Sequence, residues 1–264
     1  MRGRQALMAG ISLTGWLAAQ INAPPAMQHL LRAATRQEAA MVRLRDEYTY
    51  RQDFQFEELS DLQHRRGGMY ASHTEVTLTP DGKRFERAAA ATSNALVFLR
   101  LSDDDFRDLR DVVPFALTPD QLQVYDCRYQ GRDMLQLRDA AGRPGERLAV
   151  ETFSVSPRQI YTGQRYFEGR IWIDPITAGV VRISGRAVPD IRDRHHGVEV
   201  DNLFGRFTTD RVRVDGRYWF PAYTEGKDWL DFSNGAVQVK ETVRFRDYQR
   251  FRVQSTIRMV PVKP

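Results

Sequence analysis

The 264 residues include 39 Lys or Arg, 34 Asp or Glu and a single cysteine, for a formal charge of +5. One cysteine excludes an intramolecular disulfide, and the length supports a core that needs none. The basic residues are nearly all Arg and are scattered among acids, without the concentrated stripe or RNA-binding signature of a nucleic-acid binder.

The first 23 residues differ from the rest. Arg2 and Arg4 precede an apolar run from Ala6 to Ala19, and small residues follow at Ala18, Ala19 and Ala23. This is the three-part layout of a secretory signal peptide; the alternative is an uncleaved anchor, for which the run is short. No cysteine follows the run to accept a lipid. The expectation is a leader over 1–23, cleaved between about residues 18 and 24. A soluble periplasmic domain of residues 24–264 follows. Without Arg2 and Arg4 it has 37 basic against 34 acidic residues, a charge of +3.

After Pro24-Pro25, residues Met27, Leu30, Leu31, Ala34, Met41 and Leu44 recur at near-helical spacing, which predicts an amphipathic helix from Ala26 to Asp46. The period then falls to two. In 48-YTYRQDFQFEEL-59, Tyr48, Tyr50, Phe54 and Phe56 share one face, while Thr49, Arg51, Asp53 and Gln55 share the other. Asp81-Gly82 marks a hairpin between further short strands. A short central helix is expected over 103-DDDFRDLRDVV-113, where three aspartates suit the helix N-terminus. Cation binding is their alternative use, but a calcium loop needs alternating spacing and a glycine turn.

From Leu122 onward nearly everything alternates as strand. In 166-YFEGRIWIDPITAGVVRISGRAVP-189, Phe167, Gly169, Ile171 and Ile173 point one way and Glu168, Arg170 and Asp174 the other. Pro175 belongs in the turn, because it cannot donate to a ladder. On the return strand Val181 and Ile183 match the apolar side, and Trp172 falls in the polar register, where it covers a neighbouring strand or lies under a loop. Farther on, Val237, Val239, Val243 and Phe245 oppose Gln238, Lys240, Thr242, Arg244 and Arg246. After a turn, Phe251, Val253, Ile257 and Met259 repeat the pattern. Crossover helices are missing, so the sheet is antiparallel with one wet and one covered face. About a dozen strands are too many to stay flat.

The segments "RYFEGRIWIDP", "VVRISGRAVPDIR", "NLFGRFTTDRVRVDGRYWFPAYT" and "LDFSNGAVQVKETVRFRDYQRF", with the upstream "VVPFALTPDQLQVYDCRYQGRDML", resemble a family of uncharacterised exported bacterial proteins of acidobacterial type. The resemblance covers residues 95–258. The "IWIDP" strand, its return strand and "DGRYWFP" are also similar to the LolA/LolB-like lipoprotein-sorting superfamily. That resemblance implies a mainly β fold with a few helices: a single strongly curved antiparallel sheet, an incomplete barrel. The N-terminal amphipathic helix and the short central helix would cover it, and its hydrophobic concavity would hold acyl chains. It carries over no site residue; Arg84 and Arg87 in "DGKRFERA" do not align with the carrier's gating arginine.

Catalytic signatures are weak. Cys127, in "VYDCRYQ", has no histidine tied to it by spacing and reads as a small buried hydrophobe. His195 and His196, in "DIRDRHHGVEVD", lack zinc-motif spacing and read as a solvated connector. There is no nucleophile elbow, phosphate loop or Cys-x-x-Cys. The expectation is therefore a monomeric, non-enzymatic protein without cofactor or metal, binding a lipid, a lipidated protein or an envelope partner. The concave wall is expected to comprise Tyr48, Tyr50, Phe54, Phe56, Phe167, Ile171, Ile173, Val181, Ile183, Val237, Val239, Val243, Phe251 and Val253. Helices, ligand or both fill the space in front of it.

Overall fold

A computed structural model of the chain describes residues 21–61, 64–78, 84–189, 193–195, 198–200, 205–232 and 235–251. In chain order the elements are β1 (Ile21–Asn22), α1 (Pro25–Arg45), β2 (Tyr48–Asp61), β3 (Met69–Leu78), β4 (Arg84–Ala88), β5 (Ser93–Asn94), α2 (Asp103–Asp111) and α3 (Pro119–Leu122). There follow β6 (Tyr125–Arg138), β7 (Pro144–Pro157), β8 (Tyr166–Asp174), β9 (Gly179–Val188), β10 (Asp193–His195), β11 (Val198–Val200), β12 (Phe207–Val214), β13 (Tyr218–Phe232) and β14 (Gly235–Arg250).

Twelve strands form one open, curved sheet in the order β1-β6-β7-β8-β9-β12-β13-β14-β2-β3-β4, with β5 also on β3. All pairings are antiparallel except the two-residue match of β1 to β6, which departs from the purely antiparallel expectation. The chain closes the sheet's middle by pairing β14 with β2, so the first long strand lies beside the last. β10 and β11 pair separately, where the sequence suggested only a connector.

α1 forms where the near-helical period predicts it. Pro25 opens it at a position where no N–H is needed, and Arg43 and Arg45 sit in the last turn against the macrodipole's negative end. Its buried stripe is Leu31, Ala34, Thr35, Glu38 and Met41, spaced three and four apart. Met27 and Leu30 pack at the edge of the same core. α2 begins with a capping box: Ser102 Oγ accepts from Asp105 N–H, and Asp105 Oδ2 accepts from Ser102 N–H at 2.7 Å. α3, which falls almost wholly in a stretch the sequence pattern assigned to no element, is one turn started by Pro119 and capped by Thr118.

The sheet face that carries the helices holds the main core. Leu31 and Ala34 of α1, Leu109 of α2, Leu122 of α3 and Val112, Val113, Phe115 and Leu117 between them bury against Tyr50, Phe54, Phe56, Phe167, Ile171, Ile173, Ile183, Val237, Val239 and Val243. The Phe115 ring stacks on Phe167 at 4.5 Å between centroids. Phe167 lies over the facing pair Gly169 and Gly185, where a Cβ on either glycine would come within 2.8 Å of its ring. Such an aromatic cover offsets the missing glycine side chains.

Three sequence expectations change. Val181 leaves the inner face. A bulge opposite Trp172 and Ile173 sets Val180 against Ile173, so Val180 takes the inner place and Val181 turns to the other side. There Val181 joins Leu135, Leu137, Val150, Trp219 and Trp172 in a second small core. The turn expected after Arg246 is instead a bulge with Asp247 at φ 60°, and β14 runs on to pair Gln249 with Thr49. Phe251, offered as a wall residue, is 38% exposed. It follows the end of β14. Val253, Asp81-Gly82, His196 and residues 1–20 lie outside the described residues.

The second core explains Trp172 and corrects the expectation of one wholly wet face. β6 and β7 are each 14 residues long, and Gly131 at φ 123° marks a register shift that bends β6. The hairpin end reaches across the outer face to β9, β12 and β13. Arg138 Nε donates to Asp210 Oδ2 at 2.9 Å, and Arg138 Nη1 donates to Glu225 Oε1 at 2.7 Å. Arg182 binds the other oxygen of Asp210 and also donates to Gln136 O at 2.8 Å. Asp210, fully buried, is thus held between two guanidinium groups.

Candidate functional site on the inner face

The proposed wall is not an unbroken apolar surface. Charged and hydroxyl side chains run through it under the helices, and the fold treats each differently. Arg211 on β12 is buried and faces inward in the same alternation as Phe207 and Thr209; the bulge beside it lies on β13, where Ala222 is the extra residue between the partners of Asp210 and Arg211. Its Nη1 donates to Glu38 Oε1 of α1 at 2.7 Å, and its Nη2 donates to Phe115 O at 2.7 Å. Burial pushes the Glu38 carboxyl up from its ordinary value, and the adjoining Arg211 opposes that push. Thr209, one inward position earlier, pairs with Thr224 Oγ1 at 2.8 Å and donates to Val113 O at 3.2 Å.

Glu58 on β2 is the second inward charge. Its Oε2 accepts from Gly68 N–H at 2.8 Å and Val97 N–H at 2.7 Å. Its Oε1 accepts from Phe98 N–H at 2.8 Å and Leu99 N–H at 2.6 Å. The carboxylate therefore stands in the centre of a backbone nest and ties the segment between β5 and α2 to the sheet.

Glu241 on β14 is the third, and it has no such arrangement. It is 4% exposed, and neither carboxyl oxygen has a hydrogen-bond partner. It lies between Val239 and Val243 on the inner face, opposite Gly226 on β13 and Phe56 on β2. The side chain occupies the space that a Cβ on Gly226 would need: such an atom would be 2.2 Å from Glu241 Oε1. Burial pushes this carboxyl well above the ordinary glutamate range, and Asp228, Asp108 and Asp105 push the same way. Asp105 and Asp108 come from the buried side of α2. Arg165 holds Asp108 through both guanidinium edges, with Nε to Oδ1 at 2.9 Å, and also contacts Pro189 O.

Two clefts border this face and its reverse. One of about 360 Å³ opens between α3 and the approach to β8, lined by Val112, Phe115, Val124, Tyr125, Tyr166 and Phe167, with Arg165 at its polar end. The other, of about 530 Å³, lies on the outer face over β7, β8 and β9 and is lined largely by Ser154, Ser156, Glu168, Arg170, Ser184 and Arg206.

Of the wall residues read from the sequence, Tyr50, Phe54, Phe56, Phe167, Ile171, Ile173, Ile183, Val237, Val239 and Val243 come together in the main core. Tyr48 sits instead with Met41 and Phe220 at the far end of α1. Sequence reasoning missed Arg211, Glu58 and Glu241. The signal for Glu241 was present: it is the one break in the inward series Val237, Val239, Val243, Phe245.

Cys127 is 1% exposed, and burial, reinforced by Asp126, pushes its thiol up to about 12. The nucleophilic thiolate is therefore suppressed at neutral pH. A maleimide reagent should leave the native chain unmodified over hours and label one thiol per chain in denaturant. Rapid native labelling would contradict this burial. Among the described residues no group of three or more His, Cys, Asp and Glu has a geometry that could hold a metal ion, and no helix is long and apolar enough to cross a membrane. The backbone of His195 lies in β10.

No family model matches the chain, and no curated protein matches it in sequence. Among solved structures the chain is similar to a DUF1329 family protein from Desulfovibrio piger ATCC 29098. The two share 12% identity over 85% of this chain and 95% of that one, with a TM-score of 0.40. It is also similar to MucB in complex with MucA(peri), at 12% identity over 80% of this chain and 93% of that one, with a TM-score of 0.26. For the MucA/MucB complex of Pseudomonas aeruginosa the values are 14%, 80%, 94% and 0.26.

Proposed function

We propose that the chain is an exported, monomeric, non-enzymatic binding protein of the bacterial cell envelope. Its inner face is filled by its own helices, and it works by engaging another envelope protein. One observation carries the choice of a filled over an open concavity. Leu31, Phe54, Phe56, Phe167, Ile171 and Ile173 are each no more than 1% exposed, sealed by α1 and the segment from Leu99 to Leu122. A wall in that state offers an acyl chain no surface to cover.

The leader read in residues 1–23 and the relation to lipoprotein-sorting proteins implied by the strand motifs belong to this proposal. Carriage of a lipid or lipidated protein is the second reading, and the aromatic cleft beside α3 favours it. Each buried CH₂ is worth about 0.8 kcal/mol, so even a short acyl segment lodged between Phe115 and Tyr166 would bind.

Native mass spectrometry of protein purified from its own envelope separates the two readings. The expected result is a single species with the leader removed and no acyl adduct. Crosslinking in the envelope should give one discrete heterocomplex that re-forms from the two purified components. A lipid that co-purifies and is displaced by competing fatty acid overturns the filled-cavity reading. A mature chain beginning at Met1 and held in the cytoplasm overturns export.

A further inference from the structure

The inner face gives Arg211 and Glu58 hydrogen-bond partners but leaves both carboxyl oxygens of Glu241 bare. Burying an ionised carboxylate without a partner is far costlier than burying its neutral form, so a chain with this geometry must hold Glu241 protonated. Among the described residues, the charged groups that act on it, Asp228 from β13 and Asp105 and Asp108 from α2, all make ionisation worse. Arg165, which meets α2 at Asp108, is itself engaged with that carboxylate and with the Pro189 carbonyl. Gly226 supplies the room for the carboxyl and no polar side chain to meet it. β2 contributes Phe56 from the other side.

α2 is the element that can respond. It has nine residues, and the sides of Asp105 and Asp108 are buried with Leu109, so two of the three groups on this stripe are carboxylates. A helix this short depends on its packing to persist. The strands that carry and flank Glu241, β13, β14 and β2, are locked into long ladders.

From this geometry we propose that Glu241 is a proton-controlled latch for α2: with the carboxyl neutral, α2 stays seated in the core of the inner face, and ionisation lifts α2 and uncovers that face. The inference rests on the filled-cavity reading and adds the means by which that filling is released. The sign follows from the raised folded value of Glu241. The stabilisation of the seated state is fully present below the ordinary glutamate value near 4.5, and it is lost as pH rises toward and through the higher folded value. Acid closes the latch and alkali opens it.

Hydrogen exchange measured from about pH 5 to about pH 9, corrected for intrinsic rates, tests this, since one proton linked to opening changes protection by up to about tenfold per pH unit. The expected result is a fall in protection of the amides of residues 103–111 of at least about tenfold across the series. The amides of β14 should stay flat. Glu241→Gln, neutral at every pH, should hold α2 protected throughout. A flat wild-type profile overturns the latch whether or not the variant folds, and so does a Gln variant that keeps the pH-dependent loss. Failure of the latch shows only in these amides. Failure of the filled-cavity reading shows as a co-purifying lipid at any pH, so the two are distinguishable.

Discussion

Replacing Arg211 with Met should destabilise the protein by about 3–5 kcal/mol, the usual cost of leaving one member of a buried ion pair alone. For a domain of this size that is a fall of roughly 10 °C in melting temperature. The variant strands Glu38, which is 2% exposed on α1 and has no other cation in hydrogen-bond contact. It also removes the donors to the carbonyls of Phe115 and Val180. The guanidinium therefore joins four parts of the fold: β12, α1, the start of β9 and the segment between α2 and α3. The double change Arg211→Met with Glu38→Leu should recover most of the loss, because an apolar pair of similar volume needs no partner. Glu38 Oε2 and Arg211 Nε already lack partners, so the native pair is itself incompletely satisfied. Denaturant unfolding of the two single variants and the double variant, analysed as a cycle, gives the coupling. Two additive losses would show that the pair does not act as a unit.

How much of this was legible in the sequence depends on what set each feature. The amphipathic stripe of α1, the capped start of α2 and the inward series Phe167, Ile171, Ile173 and Val237, Val239, Val243 follow from local period and chemistry, and the structure keeps them. One loss comes from a bulge, which changes the parity of the residues after it without leaving a compositional mark, so Val181 changed faces unannounced. Arg211 keeps the alternation of Phe207 and Thr209, and it was missed because an arginine between apolar residues reads as belonging to the wet face. The outer-face cover was illegible for a different reason. It depends on where the bent β6–β7 hairpin lands, which is a matter of sheet curvature and the two arginines around Asp210 rather than of local pattern. The polar groups of the inner face were legible only in part. Glu241 broke a series visibly, but Glu58 makes three of its four bonds to backbone about forty residues away, and no spacing rule reaches that far.

Glu58→Ala should cost about 3–5 kcal/mol, since charge-assisted hydrogen bonds are worth about 1.5–3 kcal/mol each and four end on this one carboxylate. The sum is not the full product of the four. Val97 is 65% exposed, so water can replace part of what its N–H loses. Leu99 is 8% exposed and its N–H has no such substitute. Glu58→Gln tests the charge and the acceptor count at nearly constant shape. Its single carbonyl oxygen can take one pair of N–H groups, while its amide NH₂ would face the other pair donor to donor. Gln should therefore rescue little, and Asp, one methylene shorter, should reach only some of the four. The effect should also be local before it is global. Amides of residues 97–99 should lose hydrogen-exchange protection in Glu58→Gln while those of β2 and β14 keep theirs. That segment leads into α2, so its release should also loosen the seating of α2 over Glu241. A Gln variant with native stability and native protection at residues 97–99 would mean that the nest is held by the chain itself and not by the carboxylate.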